Sequence, residues 1–156
     1  MPRKARLRAP RREDLPEILR IERDAFLGDA FSARQFRYLF EQAKGESFIA
    51  DCDGSVGAYA TVLLPALPRP ARIYSLAVAP PFRGRGLALA LCEAMIRSAK
   101  EHGCDRVRLE VRGDNAGALR LYEGLGFVRF AELPTDYYAD GSGGWRMELA
   151  IDEGGA

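Results

Sequence analysis

A chain of 156 residues, 47% apolar and 29% charged, is long enough to bury a core and too ordinary in composition for a fibrous or disordered protein. Its 23 basic and 22 acidic side chains leave a formal net charge of +1, which removes any global attraction to nucleic acid or to a membrane surface. No apolar run reaches bilayer-spanning length and the start lacks a signal-peptide apolar region, so the expectation is a cytoplasmic protein without nucleic-acid or membrane partners. Cys52, Cys92 and Cys104 are odd in number and lack metal-ligand spacing, which predicts reduced, mostly buried thiols, no disulfide framework and no metal.

The elements follow in order. The basic start, Arg3 to Arg8, reads as a terminus leading into a solvated edge strand at 6–9 rather than as an RNA-binding arm. Residues 13–26 form a helix, with Leu15, Ile18, Leu19, Ile21 and Phe26 near helical spacing, and a second helix runs from Ser32, a plausible N-cap, to Lys44 before Gly45. Strands at 47–51 and 56–64 flank Asp53-Gly54, a strong hairpin turn signal. A proline-rich connection at 65–70 leads to a strand at 72–78, and a helix from Leu87 ends at His102-Gly103. Strand 105–111, a short helix at 115–123, strand 127–133, a turn at 140–144 and strand 145–151 complete the chain. His102, the single histidine, falls in the last turn of its helix and is expected to face solvent.

Chemistry concentrates between the strand ending at Val78 and the helix starting at Leu87. Gly84 and Gly86 let the backbone curl so that successive N–H groups converge, the helix start adds its positive dipole end, and Arg83 and Arg85 add full charges. A polyphosphate suits such a place. A nucleotide P-loop would need lysine and a hydroxyl after the last glycine, and neither follows Gly86. A dinucleotide fingerprint would need a third glycine where Leu89 stands.

The hexapeptide Arg83-Gly84-Arg85-Gly86-Leu87-Ala88 instead resembles the pyrophosphate loop of the GNAT superfamily of acyl-CoA-dependent N-acetyltransferases. A second segment, from Val107-Arg108-Leu109-Glu110-Val111-Arg112 through Asn115 to Leu121-Tyr122-Glu123-Gly124-Leu125-Gly126-Phe127, resembles that family's other signature and stands in the expected order. The resemblance spans roughly residues 7–149 and is closest to the ribosomal-protein-alanine N-acetyltransferases. It implies an α/β (α+β) fold in a single domain over 1–156, with a mixed, mostly antiparallel central sheet, splayed parallel fourth and fifth strands and flanking helices.

The resemblance also assigns roles. Leu76, Ala77 and Val78 would offer main-chain groups to the pantetheine of acetyl-CoA, Arg83, Gly84, Arg85, Gly86, Leu87 and Ala88 would hold its pyrophosphate, and Asn115 would touch coenzyme A or simply cap its helix. Glu110 matches the base position and Tyr122 the acid position, against the plainer readings of a carboxylate paired with neighbouring arginines and a buried structural tyrosine. Phe31, Tyr137 and Tyr138 fall where the acceptor groove is lined, against the equal reading of the two tyrosines as packed on the base of a solvated hairpin, and Ala30-Phe31-Ser32 replaces that branch's usual Pro-Trp-Ser. The implied reaction is acetyl transfer to a primary amine, a protein or peptide N-terminus such as that of a ribosomal protein. A small-molecule amine acetyltransferase and a non-catalytic acyl-CoA-binding module remain as alternatives.

Overall fold

The computed structural model describes residues 5–26, 45–64, 70–138 and 140–151. The helix expected at 32–44, Phe31 and most of the proline-rich connection lie outside the described residues.

A seven-stranded sheet organises the chain. Its strands are β1 (Arg6–Arg8), β2 (Gly45–Cys52), β3 (Ser55–Leu63), β4 (Ala71–Val78), β5 (Arg106–Arg112), β6 (Val128–Glu132) and β7 (Gly144–Ala150), in the order β1-β2-β3-β4-β5-β7-β6. Every neighbouring pair is antiparallel except β4 and β5, which run parallel. The β2–β3 hairpin turns through Asp53 and Gly54, both at positive φ (56° and 90°), the geometry that makes Asp-Gly so strong a signal.

Among the described residues three helices pack on this sheet. Helix α1 (Leu15–Phe26) follows a 3₁₀ turn at Arg12–Asp14, and Pro16 sits in its first turn, where a missing N–H costs nothing. The crossover helix α2 (Leu87–His102) joins β4 to β5 and ends on Gly103 at φ 95°, whose N–H reaches back to the Ala99 and Lys100 carbonyls. Helix α3 (Ala116–Leu125) stops on Gly126 at φ 103°. His102 is exposed, Cys92 and Cys104 are buried, and Cys52 is half-buried.

Strand alternation sends side chains to two separate cores. Ala58, Ala60 and Val62 join Leu91, Met95, Val107, Leu109 and Val111 beneath α2. Tyr59 and Ala77 join Ile18, Ile21 and Ile49 beneath α1. The two helices therefore cover opposite faces of the sheet. Among the described residues no helix is long and apolar enough to cross a membrane.

The decisive feature lies between β4 and β5. Their ladder holds only two pairs, Ala71 with Val107 and Arg72 with Arg108. Immediately beyond, β4 takes an extra residue: Ile73 faces Val62 and Ser75 faces Thr61, which leaves Tyr74 as a bulge. A bulge bends and twists its strand, so β4 leans away from β5 and the sheet opens.

Candidate active site

The opening is a cleft of about 1020 Å³, lined on one side by β4 and the start of α2 and on the other by β5, α3 and the chain before β7. Its β4 wall is backbone. Ala79 donates its N–H to the Gly57 carbonyl at 2.8 Å, and the unbroken register from there fixes which residues face β3. Ala77 and Ser75 point their main-chain groups at β3, so those of Leu76 and Val78 point into the opening. An extended ligand laid against them would extend the sheet by one strand.

At one end of this wall the chain forms an anion cradle. Gly84 and Gly86 adopt φ of 78° and 76°, a left-handed pair that no other residue adopts without strain, and a Cβ on either would meet nothing within 4 Å. Conformation rather than space selects glycine here. Gly86 is the N-cap of α2 and supplies no side chain to the first N–H groups of that 16-residue helix, which therefore remain for a ligand. Arg83 stands at the cradle with Nε 3.4 Å from the Val78 carbonyl, whereas Arg85 lies over the Phe82 ring at 5.2 Å. Phosphate oxygens fit this arrangement.

The other wall brings side chains. Tyr122 on α3 is only 7% exposed, packs edge-on against Phe127 at 5.6 Å, and lines the cleft. Among the described residues its hydroxyl has no hydrogen-bond partner and no side-chain polar atom is a buried orphan, so the hydroxyl opens into the cleft. Burial pushes its phenol well above the ordinary value, with small additions from Cys92 and Tyr138. It holds its proton throughout the neutral range. Asn115 also lines the cleft and caps α3, its Oδ1 accepting from the Ala118 N–H at 3.1 Å.

On the α1 face of the opening the groups are charged. Glu110 receives the guanidinium of Arg72 from β4 and that of Arg146 from β7, the latter at 3.2 Å. Burial first, then that carboxylate, raises the Tyr137 phenol above its ordinary value. Tyr137 meets Tyr138 edge to face at 5.1 Å, and Tyr138 lies over the Arg112 guanidinium at 4.9 Å. Arg112 in turn holds Asp114 at 3.1 Å, Ser142 at 3.0 Å and Asp140, so it pins the chain before β7 to the end of β5.

A backbone wall, a glycine-lined helix start and a buried phenol thus face one crevice opened at a parallel strand pair. The sequence pattern of the acetyltransferase (GNAT) family matches residues 15–127. The chain belongs to the GNAT acetyltransferase family. It is 31% identical to an N-alpha-acetyltransferase of Sulfurisphaera tokodaii over 94% of this chain and 93% of that one. Among solved structures, the ribosomal-protein-S18-alanine N-acetyltransferase of Escherichia coli superposes with a TM-score of 0.83 at 27% identity, covering 95% of this chain and 94% of that one. Ard1 of Thermoplasma volcanium superposes with a TM-score of 0.85 at 28% identity over 97% and 100%.

In this GNAT enzyme most of the residues singled out from sequence share one cleft. Leu76, Val78, Arg83, Gly84, Gly86, Leu87, Ala88, Glu110, Asn115, Tyr122, Tyr137 and Tyr138 all line it. Two do not reach its walls: Ala77 turns its backbone to β3 and its side chain into the core beneath α1, and Arg85 stacks on Phe82. Glu110 is also paired with arginines, so the plainer reading of that carboxylate describes a real contact. Among the described residues no cluster of His, Cys, Asp and Glu is arranged to hold a metal ion.

Sequence reasoning passed over Glu22. It lines the cleft from α1 at 2% exposure. The signal was present, because Glu22 stands four residues after Ile18 and seven after Leu15, on the stripe where a leucine belongs. Arg72 and Arg146 were missed for a different reason: they meet Glu110 only through strand register.

Proposed function

We propose that this enzyme transfers the acetyl group of acetyl-CoA to the N-terminal α-amine of a protein or peptide, by direct attack in a ternary complex. The observation that carries the reading is the cleft itself, with an unpaired backbone edge leading from a phosphate cradle to a neutral buried phenol and a carboxylate. Pantetheine amides would pair with the main chain of Leu76 and Val78, and the pyrophosphate would sit at residues 83–88 on the dipole of α2. Asn115 would add a polar contact beside its capping bond.

The neutral amine nitrogen attacks the thioester carbonyl, forming the C–N bond, and the C–S bond then breaks. Glu110 receives the nitrogen's proton, directly or through water, and Tyr122 gives its proton to the departing thiolate. Exchange with solvent restores both groups, so each turnover moves one acetyl group and leaves the protein unchanged. Tyr137 and Tyr138 are well placed to flank a peptide backbone at the acceptor mouth, and the named activities of the relatives favour an α-amine over a side-chain amine.

The test is thiol release from acetyl-CoA across N-terminal peptides, including a ribosomal-type Ala-Arg end, beside polyamines, amino acids and aminoglycosides. Turnover that requires a free peptide α-amine is expected. Turnover with small amines alone would transfer the same chemistry to a small-molecule acceptor, and coenzyme binding without any turnover would make the domain a binding module.

A further inference from the structure

Beyond the cleft, the α1 face of the sheet changes character at β5. Helix α1 buries its apolar stripe on Ile49, Tyr59 and Ala77, which lie on β2, β3 and β4. On β5 and β7 the side chains of that same face are charged and partly exposed: Arg106, Arg108 and Glu110 along one strand, Arg146 and Glu148 along the other. The register sets Glu110 opposite Arg146 and Arg108 opposite Glu148, while Arg72 of β4 stands beside Arg108. Among the described residues two carboxylates of this strip are thus shared by four guanidiniums, in a chain whose net charge is only +1. Asp105 adds one contact, to Arg106 Nε at 3.3 Å, at the end of the strip away from the cleft.

These guanidiniums are fixed at one edge and open at the other. Arg108 donates its Nε to Glu148 at 2.6 Å and Arg146 its Nε to Glu110 at 3.2 Å, and among the described residues neither Nη pair has a hydrogen-bond partner. Phe130, 46% exposed, carries the Arg108 guanidinium over its ring at 5.0 Å, and Val128, opposite Glu148 on β6, is 62% exposed. A planar fork held by stacking and by its Nε loses little freedom when a carboxylate takes both Nη groups. One ion pair at such exposure contributes little, so recognition here needs several in register.

Spacing identifies the occupant. Alternate residues on one face of a strand are about 7 Å apart, so Arg108 and Arg106 stand about 7 and about 14 Å from Glu110 along β5. An extended peptide whose amine lies at Glu110 brings its third and fifth residues to those distances. The glutamates interrupt the strip, which suits the separate carboxylates of a peptide better than the unbroken charge of a nucleic-acid backbone. Resting on the N-terminal acetylation reading above, we propose that this strip is an acceptor exosite: Arg108 and Arg106, with Phe130 beside them, bind carboxylates at about the third and fifth residues of the protein being acetylated. The favoured acceptor therefore carries an acidic segment just behind its α-amine.

The experiment measures acetylation of an Ala-Ser-Glu-Ser-Glu peptide, its Ala-Ser-Gln-Ser-Gln counterpart and a longer peptide whose two glutamates follow about eight neutral residues, by the wild type and by a double variant, Arg106→Gln with Arg108→Gln. The wild type is expected to show an acceptor KM about fivefold or more lower for the first peptide than for the other two, and the double variant to bring all three together while coenzyme affinity stays within about twofold. Equal KM values in the wild type, or a preference that survives in a folded double variant, overturn the exosite and leave the acetylation reading standing. Should the double variant not fold, the wild-type preference is followed from about 20 to about 500 mM sodium chloride: an ionic strip loses it across that range, and a preference indifferent to salt overturns the proposal. If no peptide is acetylated, the α-amine reading fails and dissociation constants replace KM; a Glu-over-Gln preference lost in the double variant sustains the strip as an acidic-peptide surface, and equal binding overturns it. An RNA oligonucleotide that binds the wild type but not the double variant, with the peptides treated alike, would assign the strip to polyphosphate and overturn the peptide assignment.

Discussion

The two ends of the cleft are built from different material. The end proposed for the coenzyme is made of backbone: two left-handed glycines, an uncapped helix start and the alternating main-chain groups of one strand, all between Leu76 and Ala88. The end proposed for the acceptor is made of side chains from widely separated elements, with Glu22 on α1, Arg72 on β4, Glu110 on β5, Tyr137 before β7 and Arg146 on β7. Backbone recognition binds one invariant ligand and tolerates drift in side chains. Side-chain recognition can be retuned by single substitutions, so acceptor choice can change while the coenzyme site stays constant.

The largest effect should come where the two ends meet. Tyr122→Phe removes only the hydroxyl and keeps the ring against Phe127, and that hydroxyl has no partner in the fold among the described residues. Turnover should fall about a hundredfold or more while the coenzyme dissociation constant and the melting temperature stay nearly constant. Steady-state kinetics beside calorimetric titration read all three. Equal turnover would remove the acid assignment.

At the coenzyme end the two arginines should separate. Arg83 reaches the cradle and Arg85 stacks on Phe82, so Arg83→Ala is expected to weaken coenzyme binding by about tenfold and Arg85→Ala by distinctly less. Equal losses would mean that Arg85 leaves Phe82 when phosphate arrives. Neither substitution should alter the acceptor KM, because neither side chain belongs to the proposed acceptor mouth.

This division also explains what the sequence discloses. Glycines at fixed offsets before an apolar helix announce positive φ and an N-terminal anion site, so the cradle is legible from six residues. The Tyr122 segment is legible for the same local reason. The order β5-β7-β6 and the contact of Arg72 with Glu110, 38 positions away, arise from pairing register, which periodicity does not encode. Ala77 shows the same limit at finer grain: naming it with Leu76 and Val78 was right about the strand, but only the hydrogen-bond phase set by Ala79 and Gly57 tells which residues face the gap. Helix 15–26 was legible as an element, yet reading its stripe as uniformly apolar hid Glu22.

A smaller effect is expected at Arg112, which joins both ends through the segment before β7. Arg112→Ala releases Asp140, Ser142 and the face of Tyr138 together. The acceptor KM should rise several-fold, since Tyr137 and Tyr138 lose their support, while coenzyme affinity changes little. A fall in kcat with unchanged acceptor KM would instead place Arg112 with the reacting groups.

The smallest effect tests whether the acceptor end depends on the distant edge of the sheet. Arg8 on β1 holds Asp51 at 2.9 Å and Asp14, just ahead of α1, at 2.8 Å, so it ties the start of the helix that carries Glu22 to the sheet. Its guanidinium depresses the pKa of both carboxylates, with backbone N–H groups from Arg11 and Gly54 assisting. Groups whose folded pKa is lowered contribute stability that is complete above the unfolded value, near pH 4, and is lost as pH falls through the folded values. Arg8→Met should therefore cost about 1 kcal/mol at pH 7, after allowance for partial exposure, and flatten the acid limb of the stability curve below about pH 4. Urea midpoints across that range measure it. If α1 is seated by this cluster, the variant should also raise acceptor KM slightly at pH 7 with coenzyme affinity unmoved, because α1 contributes Glu22 to the acceptor wall and nothing to the cradle; an equal loss at both ends would mean that the two halves of the cleft yield together.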